Sequence, residues 1–314
     1  MIQANIGRSL TIRQRIHREL TRNYMLYIMA FPVILYFLLF HYGPMYGVVL
    51  AFKDYSIGKG IWASPWVGMK HFINFWQSPY FFRILRNTLT ISLYSILFGF
   101  PMPIILALLL NEVKCSAFKR TVQTITYLPH FVSTVVMCGI IIDFFARTGA
   151  ITQLLHNLLG MRARNMLLQP EMFRTIYIST DIWQGVGWGS IVYISALSAI
   201  DAEQYEAAVL DGAGRFKQMW YITLPGILPT IITMLLMRLG KVMSVGYEKI
   251  ILLYNPNTYE TADVISSFVY RYGLGGAQDY SFSSAVGLFS SVINLIILVS
   301  ANTLSRKLSE TSLF

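Results

Sequence analysis

Long apolar stretches separated by shorter polar connections dominate the sequence. A helix needs about 20 mainly apolar residues to cross about 30 Å of hydrocarbon. Stretches of that kind occur at about 24–50, 87–111, 121–145, 174–200, 226–252 and 284–304. The pattern predicts an all-α, polytopic membrane protein with about six transmembrane helices, which form one domain over residues 24–304.

The composition supports the same class. Of the 314 residues, 55% are hydrophobic and only 13% are charged, whereas soluble domains usually carry about 25% charged residues. A net charge of +10 can indicate a nucleic-acid partner, but the basic residues lie between the apolar stretches and form no compact patch. Cys115 and Cys138 have neither a metal-binding nor a disulfide spacing. We therefore expect no nucleic acid and no metal.

The distribution of Lys and Arg predicts the orientation. Residues 1–23 form a basic leader, and residues 305–314 form a short tail. With both termini inside, the inner segments hold twelve Lys and Arg residues and the longer outer loops hold eleven, Lys249 among them. The higher inner density, led by five arginines of the leader, favours cytoplasmic termini.

The inner segment 201–225 has an unusual pattern. Residues 203–208 are strong helix formers, and Asp201 is placed to act as N-cap, with Gln204 closing a capping box. Gly212 and Gly214 then interrupt the helix. A second amphipathic stretch follows, and Leu224-Pro225 closes it before the next span. The pattern predicts two short helices suited to insertion into a groove on another protein.

Fixed positions of this segment resemble the EAA loop of bacterial ABC-importer permeases. The family pattern is EAA, three residues, G, nine residues, I, one residue, LP, and it is met by Glu206, Ala207, Ala208, Gly212, Ile222, Leu224 and Pro225. Asp211 and Ala213 match the DGA extension common in sugar permeases. The resemblance implies a type I, maltose-permease-like fold with a cytoplasmic coupling helix.

Two further segments narrow the resemblance. Residues 246–274 and 126–136 look like the carbohydrate-uptake branch for complex polysaccharides, which includes alginate and pectin-oligosaccharide permeases. The large extra periplasmic domain of the maltose permease is absent, because the longest outer loop has only about 35 residues. The resemblance therefore implies a permease for oligosaccharides, with acidic ones as a further hypothesis.

The resemblance also implies separate roles for this chain and for its partner subunits. The chain has no G-x-x-x-x-G-K-[ST] phosphate loop, so it is expected to be a non-catalytic subunit without its own cofactor. Two copies of a partner ATPase would bind ATP and Mg. A second homologous permease would complete the pore in the bacterial inner membrane, and an extracytoplasmic binding protein would deliver the oligosaccharide. In the coupling loop, Glu206 would contact the ATPase, Gly212 would permit the turn, and Pro225 would fix the junction to the fifth span.

Ionisable residues inside a span are costly and therefore candidates for function. The fifth predicted span carries Arg238 and Lys241, and a continuous helix would place Glu248 on the same face. This stripe either lines a translocation pathway, or Glu248 pairs with Lys241 or Lys249 near the outer interface while Arg238 caps carbonyls.

Other polar groups in the predicted spans have the same two interpretations, a contact with substrate or a structural role. Asp181, Trp183, Gln184 and Trp188 open the fourth span, where they either contact substrate or, with nearby glycines, pack against a helix. Asn294 in the sixth span either binds substrate or bridges helices.

Aromatic residues crowd the first outer loop: Trp62, Trp66, Trp76, Tyr80, Phe81 and Phe82. They form either an interfacial belt or a platform for a docking partner.

Three alternative functions compete with an oligosaccharide permease. One is an ABC permease for a non-sugar solute, since the EAA loop does not separate substrates. Another is an ion-coupled secondary transporter, which would show inverted repeats that are not found here. The third is a membrane scaffold, which would leave the coupling loop unexplained.

Overall fold

The computed structural model describes residues 19–309, which divide into two units, up to Leu50 and from Ala51 onward. Most of the basic leader and the last five residues lie outside the described residues. The described part is helical and contains no β-strand beyond a single bridge between Lys53 and Trp66. The predicted all-α class is confirmed.

The principal helices are α1 (Tyr24–Phe52), α2 (Lys70–Gln77), α3 (Phe81–Glu112), α4 (Ser116–Tyr127), α5 (Thr134–Phe145), α6 (Ala150–Leu159), α7 (Pro170–Leu197), α8 (Ala202–Leu210), α9 (Arg215–Leu239), α10 (Tyr247–Leu253), α11 (Ile265–Gly273) and α12 (Tyr280–Ser309). Short helical turns join some of them.

Within the described residues, five helical segments are long and apolar enough to cross a membrane. They are α1, α3, α5 with α6, α9, and residues Tyr280–Lys307 of α12. A sixth arises when α7 and α8 are counted together, although a bend of 73° separates them. The chain therefore has the five to six apolar helices expected of a polytopic membrane protein.

The stretch predicted as a third span, 121–145, is divided in the structure. The helix α4 ends at Tyr127, a 3-10 turn covers Leu128–Phe131, and α5 begins at Thr134. Pro129 within this turn lacks the N–H that a continuing helix needs. Ser133 then caps α5, because its Oγ accepts a hydrogen bond from the N–H of Val136. The apolar helix consequently starts later than the hydropathy suggests.

The stretch predicted as a fifth span, 226–252, also differs. Its helix begins at Arg215, runs through Pro225 and ends at Leu239, and the chain re-enters a helix only at Tyr247. A π-turn over Met219–Thr223 precedes Pro225 and adjusts the helical hydrogen bonds there. The segment between α9 and α10 is non-helical. The prediction that Glu248 lies on the same face of one continuous helix as Arg238 and Lys241 is therefore wrong.

Three clusters of buried apolar side chains hold the second unit together. One lies among α5, α7 and α10, one among α2, α3, α11 and α12, and one among α3, α7 and α9. In lipid such packing relies on close contact rather than on escape from water. Gly187 of α7 illustrates this, because a Cβ there would lie 2.2 Å from the carbonyl oxygen of Thr126.

A buried carboxylate fixes the segment that follows α10. Asp263 is fully buried and receives hydrogen bonds from Arg271 at 2.8 and 3.1 Å and from Ser267 at 2.9 Å, and it pairs with Arg83 at 3.3 Å. Burial alone would lower the pKa of Arg271, but its hydrogen bonds to Asp263 and the charge of Asp263 outweigh burial and raise that pKa. Through its ion pairs with Arg83 and Arg271, Asp263 joins α3 to α11.

Candidate functional site

A cavity of about 530 Å³ lies among α3, α7, α9 and α10. Its polar lining residues include Ser95, Tyr177, Asp181, Gln184, Arg238, Lys241, Glu248 and Lys249. Five of the residues that the sequence suggested for a pathway, Asp181, Gln184, Arg238, Lys241 and Glu248, are thus brought to one site. We call it the central cavity.

Asp181 occupies the electrostatic centre of this cavity. One of its carboxylate oxygens lies 3.7 Å from Lys249 Nζ, and the other lies 4.0 Å from Arg238 Nη2. Arg238 also donates a hydrogen bond to the hydroxyl of Ser95 on α3. The carboxylate therefore faces cations from two different helices, α9 and α10.

Lys249 is the more deeply enclosed of the two cations, with a side chain that is only 8% exposed. Its Nζ donates to the backbone carbonyl of Tyr177 at 3.3 Å and lies 4.9 Å from the centre of the Tyr177 ring. Sequence analysis predicted that Lys249 lies in an outer loop, and one interpretation paired it with Glu248. In the structure it is a wall of the central cavity and its acidic partner is Asp181.

The charges of the cavity do not balance. Arg238, Lys241 and Lys249 contribute three positive charges against the two carboxylates of Asp181 and Glu248. Lys249 is enclosed, whereas Arg238, Lys241 and Glu248 are exposed, so solvent and salt screen part of this surplus. The arrangement can therefore bind a carboxylate or a dense set of hydroxyl groups.

The remaining candidates from the sequence lie elsewhere. Trp183 and Trp188 are about half exposed and do not line the central cavity. The Trp188 ring stacks on His130, with ring centres 4.6 Å apart and planes 5° from parallel. This contact favours the helix-packing interpretation for Trp188.

Asn294 connects α12 to the non-helical segment that follows α9. Its Oδ1 accepts from the N–H of Met243 at 2.8 Å, and its Nδ2 donates to Ser244 Oγ at 2.9 Å. Ser92 adds a hydrogen bond from its hydroxyl to the carbonyl of Val242. These bonds hold the non-helical segment between α9 and α10, which forms part of the cavity wall.

Sequence reasoning did not predict several lining residues of the cavity, among them Ser95, Tyr177 and Lys249. Ser95 and Tyr177 are uncharged and lie in helices α3 and α7, where nothing in the local pattern distinguishes them. Lys249 carried a usable signal, because it stands beside Glu248 and immediately before the apolar run Ile250–Leu253.

The coupling loop forms a second candidate site. Asp201 caps α8 as predicted, and its carboxylate accepts from the N–H of Glu203 at 3.0 Å. At the other end, the N–H of Ala213 donates to Ala208 O at 2.8 Å, and the N–H of Gly212 donates to Val209 O at 3.0 Å. This pair of bonds is a Schellman motif.

The motif requires a left-handed residue, and Gly212 supplies it with φ of 74°. The chain then turns into α9, which continues through Leu224 and Pro225 into the apolar span. Tyr205 of α8 is held against that span by a 3.0 Å hydrogen bond between its hydroxyl and Thr223 Oγ1. The loop is thus attached firmly to the transmembrane helix that reaches the central cavity.

The tip of the loop exposes large apolar side chains. Leu210 is 88% exposed and Phe216 is 84% exposed, and Trp220 and Tyr221 are also exposed. The family-pattern residues Glu206 and Ala207 are exposed, and Ala208 is half-buried. Clustered exposed apolar side chains of this kind mark a protein-interaction surface.

Residues 19–309 contain no group of three or more His, Cys, Asp or Glu side chains that could hold a metal ion. The segment between α1 and α3 exposes Trp62 and buries Phe75. At the start of α3, Phe81 is buried in the core cluster with α12 and Phe82 is exposed.

Comparison with known proteins gives a consistent result. Residues 99–310 match the family described as binding-protein-dependent transport system inner membrane component. The chain is 45% identical to protein LplB of Bacillus subtilis (strain 168), covering 94% of this chain and 92% of the relative. It is 42% identical to the polygalacturonan/rhamnogalacturonan transport system permease protein YteP of the same organism, covering 96% and 94%.

A solved structure is similar over nearly the whole length. It is a chain of a bacterial alginate ABC transporter crystallised in complex with an alginate pentasaccharide-bound periplasmic protein. The TM-score is 0.87 at 45% sequence identity, covering 95% of this chain and all of the other.

Proposed function

This chain belongs to the family of binding-protein-dependent transport system inner membrane components, and from that premise we propose that it is the permease subunit of an ATP-driven importer for oligosaccharides. The single observation that carries the proposal is the central cavity, where five ionisable side chains meet among apolar helices. Charged groups inside a membrane bundle usually mark a substrate path.

The proposed substrates are acidic oligosaccharides. The relative from Bacillus subtilis is described as a polygalacturonan/rhamnogalacturonan permease, and the similar structure belongs to an alginate transporter. Such polymers carry carboxylates on their sugar rings, and the central cavity has one positive charge in excess. A carboxylate about 4 Å from a cation gains about 4 kcal/mol at an effective dielectric constant near 20, before the cost of removing both groups from water.

The coupling loop is proposed to connect this cavity to an ATPase. Leu210 and Phe216 would enter a groove on the partner, with Glu206, Ala207, Ala208 and Asp211 on the flanking surface. Because α9 runs unbroken from Arg215 to Leu239, movement of the loop would be transmitted along one helix to Arg238. Leu224 and Pro225 lie on this path, where the π-turn allows the helix to accommodate proline.

The remaining subunits are proposed on the same basis. A second homologous permease would supply the other half of the path, two copies of an ATPase would bind ATP and Mg, and a periplasmic binding protein would deliver the sugar. This chain would bind no cofactor itself. We place it in the bacterial inner membrane with both termini and the coupling loop on the cytoplasmic side.

Uptake by the reconstituted importer tests the proposal. Proteoliposomes containing the complete complex should take up tetragalacturonate or an alginate tetrasaccharide in the presence of ATP, and a neutral tetrasaccharide of similar size much more slowly. Arg238→Gln should reduce uptake of the acidic sugar, whereas Arg147→Gln, which removes a cation outside the cavity, should not. Equal uptake of charged and neutral sugars would remove the acidic specificity, and absence of any oligosaccharide uptake would remove the function.

A further inference from the structure

The carboxylate of Asp181 lies in the central cavity at the place where a ligand carboxylate would meet two cations. One of its oxygens is 3.7 Å from Lys249 Nζ, and the other is 4.0 Å from Arg238 Nη2. Charge-assisted hydrogen bonds between such groups have donor–acceptor distances of about 2.7–2.9 Å. Both contacts are therefore ion pairs longer than a hydrogen bond, and they hold the carboxylate by charge rather than by directed bonds.

Each of the two cations also has a partner that does not depend on Asp181. Arg238 donates a hydrogen bond to the hydroxyl of Ser95 on α3. Lys249 donates to the backbone carbonyl of Tyr177 at 3.3 Å, and its Nζ lies 4.9 Å from the centre of the Tyr177 ring. These contacts keep both cations beside the cavity when the carboxylate of Asp181 moves away from them.

A ligand in the cavity can reach this group of charges. The side chain of Asp181 is 41% exposed and that of Arg238 is 44% exposed, whereas Lys249 is only 8% exposed. An incoming carboxylate therefore meets Arg238 first. It gains Lys249 as a second partner only when it takes the place of the Asp181 carboxylate, which can turn toward solvent because it is already partly exposed.

An internal carboxylate at this position limits how tightly an acidic ligand is held. A transport site must bind its ligand firmly enough for entry and weakly enough for release. Two cations without a counter-charge would favour retention of a bound carboxylate. With Asp181 present, binding exchanges one carboxylate for another, so the electrostatic gain is only the difference between two similar contacts.

We infer that Asp181 is a displaceable counter-ion that sets the affinity of the central cavity for acidic oligosaccharides. A carboxylate of the substrate replaces it between Arg238 and Lys249, and its return promotes release of the substrate. The inference rests on the proposed function and assigns a specificity-determining role to one residue of that site. The competing role is a purely structural ion pair, whose loss would misplace the cations and weaken substrate binding. The two roles predict opposite changes in KM.

Uptake of tetragalacturonate by proteoliposomes that hold the complete importer separates the two roles. Asp181→Asn should lower both KM and kcat about fivefold or more, because the substrate is bound more tightly and released more slowly. Asp181→Glu keeps the charge and should remain within about twofold of wild type in both constants. Asp143→Asn, which removes an exposed carboxylate outside the cavity, is the matched control. An unchanged or higher KM for Asp181→Asn would overturn the inference.

Chemical restoration of the charge provides a test within a single folded protein. Asp181→Cys, made with Cys115→Ser to remove the exposed native thiol and with Cys138 buried, places one reactive thiol in the cavity. Sulfonatoethyl methanethiosulfonate returns a negative charge to this position, whereas the hydroxyethyl reagent adds a neutral group of similar size. The negative group should give a KM for tetragalacturonate about fivefold higher than the neutral group gives.

The outcomes of this second test distinguish the inference from the proposed function. Equal KM values after the two modifications, or a lower KM with the negative group, would overturn the role of Asp181 and leave the proposed function intact. Absence of oligosaccharide uptake by the wild-type importer would instead show that the proposed function has failed.

Discussion

At the scale of single residues, Asp181 is the acidic side chain that faces two cations of the central cavity. Its carboxylate is the common partner of Arg238 and of the almost fully enclosed Lys249. Removing Asp181 leaves the enclosed Lys249 without its acidic partner, which is costly, whereas Arg238 is about two-fifths exposed and stays hydrated. The carboxylate thus holds two cations where an acidic ligand can later approach them.

We expect Asp181→Asn to lower the melting temperature of the purified complex, because Lys249 and Arg238 lose their counter-charge. Asp143→Asn is the matched control, since Asp143 lies exposed in α5 and has no ion pair among the described residues. Adding Lys249→Gln to Asp181→Asn should restore part of the loss, by about 0.5–3 kcal/mol of coupling energy. Strictly additive effects of the two substitutions would contradict the pairing.

Much of this cavity could be predicted at the residue level, because charge inside an apolar stretch is conspicuous. Asp181, Arg238 and Lys241 stood out for that reason. Their pairing could not be predicted, since it depends on where α7, α9 and α10 meet. Lys249 was predicted in an outer loop because local periodicity does not indicate that α9 ends at Leu239 and that the chain then forms the cavity wall.

At the scale of elements, the coupling loop is the part whose local sequence specifies its structure most completely. The N-cap at Asp201, the helix formers after it and the glycine at the left-handed position all act locally. The loop therefore adopts the structure that its sequence pattern indicates, and α9 connects it directly to the apolar span.

Gly212→Ser should uncouple the permease from the partner ATPase. A side chain at φ of 74° costs about 1–2 kcal/mol, which reduces the ratio of native to non-native turn about 5- to 30-fold. Substrate-stimulated ATPase activity should fall accordingly, while circular dichroism shows intact helices.

Gly214→Ser provides the control for this element. Gly214 is the N-cap of the helix after the turn, with φ of −71° and open space around it, and serine is favoured at that position. Its ATPase activity should remain near wild type. Equal activity of both variants would contradict a coupling role for the turn.

The helices whose bounds were predicted less accurately all contain breaks within apolar stretches. Pro129 ends α4 early, and hydropathy does not register a helix break. The turn after Leu239 depends on Asn294, a residue some fifty positions later in the chain. Such long-range hydrogen bonds cannot be read from local periodicity.

At the scale of the whole molecule, the described chain combines a charged cavity with an exposed apolar loop tip. Asp181 and Arg238 in the central cavity are each about two-fifths exposed, and the coupling loop exposes Leu210 and Phe216. These features are what a permease subunit needs if a second permease and an ATPase complete it. The five to six apolar helices of the described residues, together with the family match, show a multi-pass membrane protein.

Thiol accessibility from each side of the membrane tests the central claim most directly, namely that the central cavity is part of an alternating-access path. Gln184 lines the cavity and is partly exposed, so Gln184→Cys with Cys115→Ser places one reporter there, with Cys138 buried. In the complete importer, a membrane-impermeant reagent should label this thiol from the cytoplasmic side without nucleotide and from the periplasmic side after trapping with ATP and vanadate. Labelling that is absent from both sides, or the same in both states, would contradict the assignment of this cavity to the transport path.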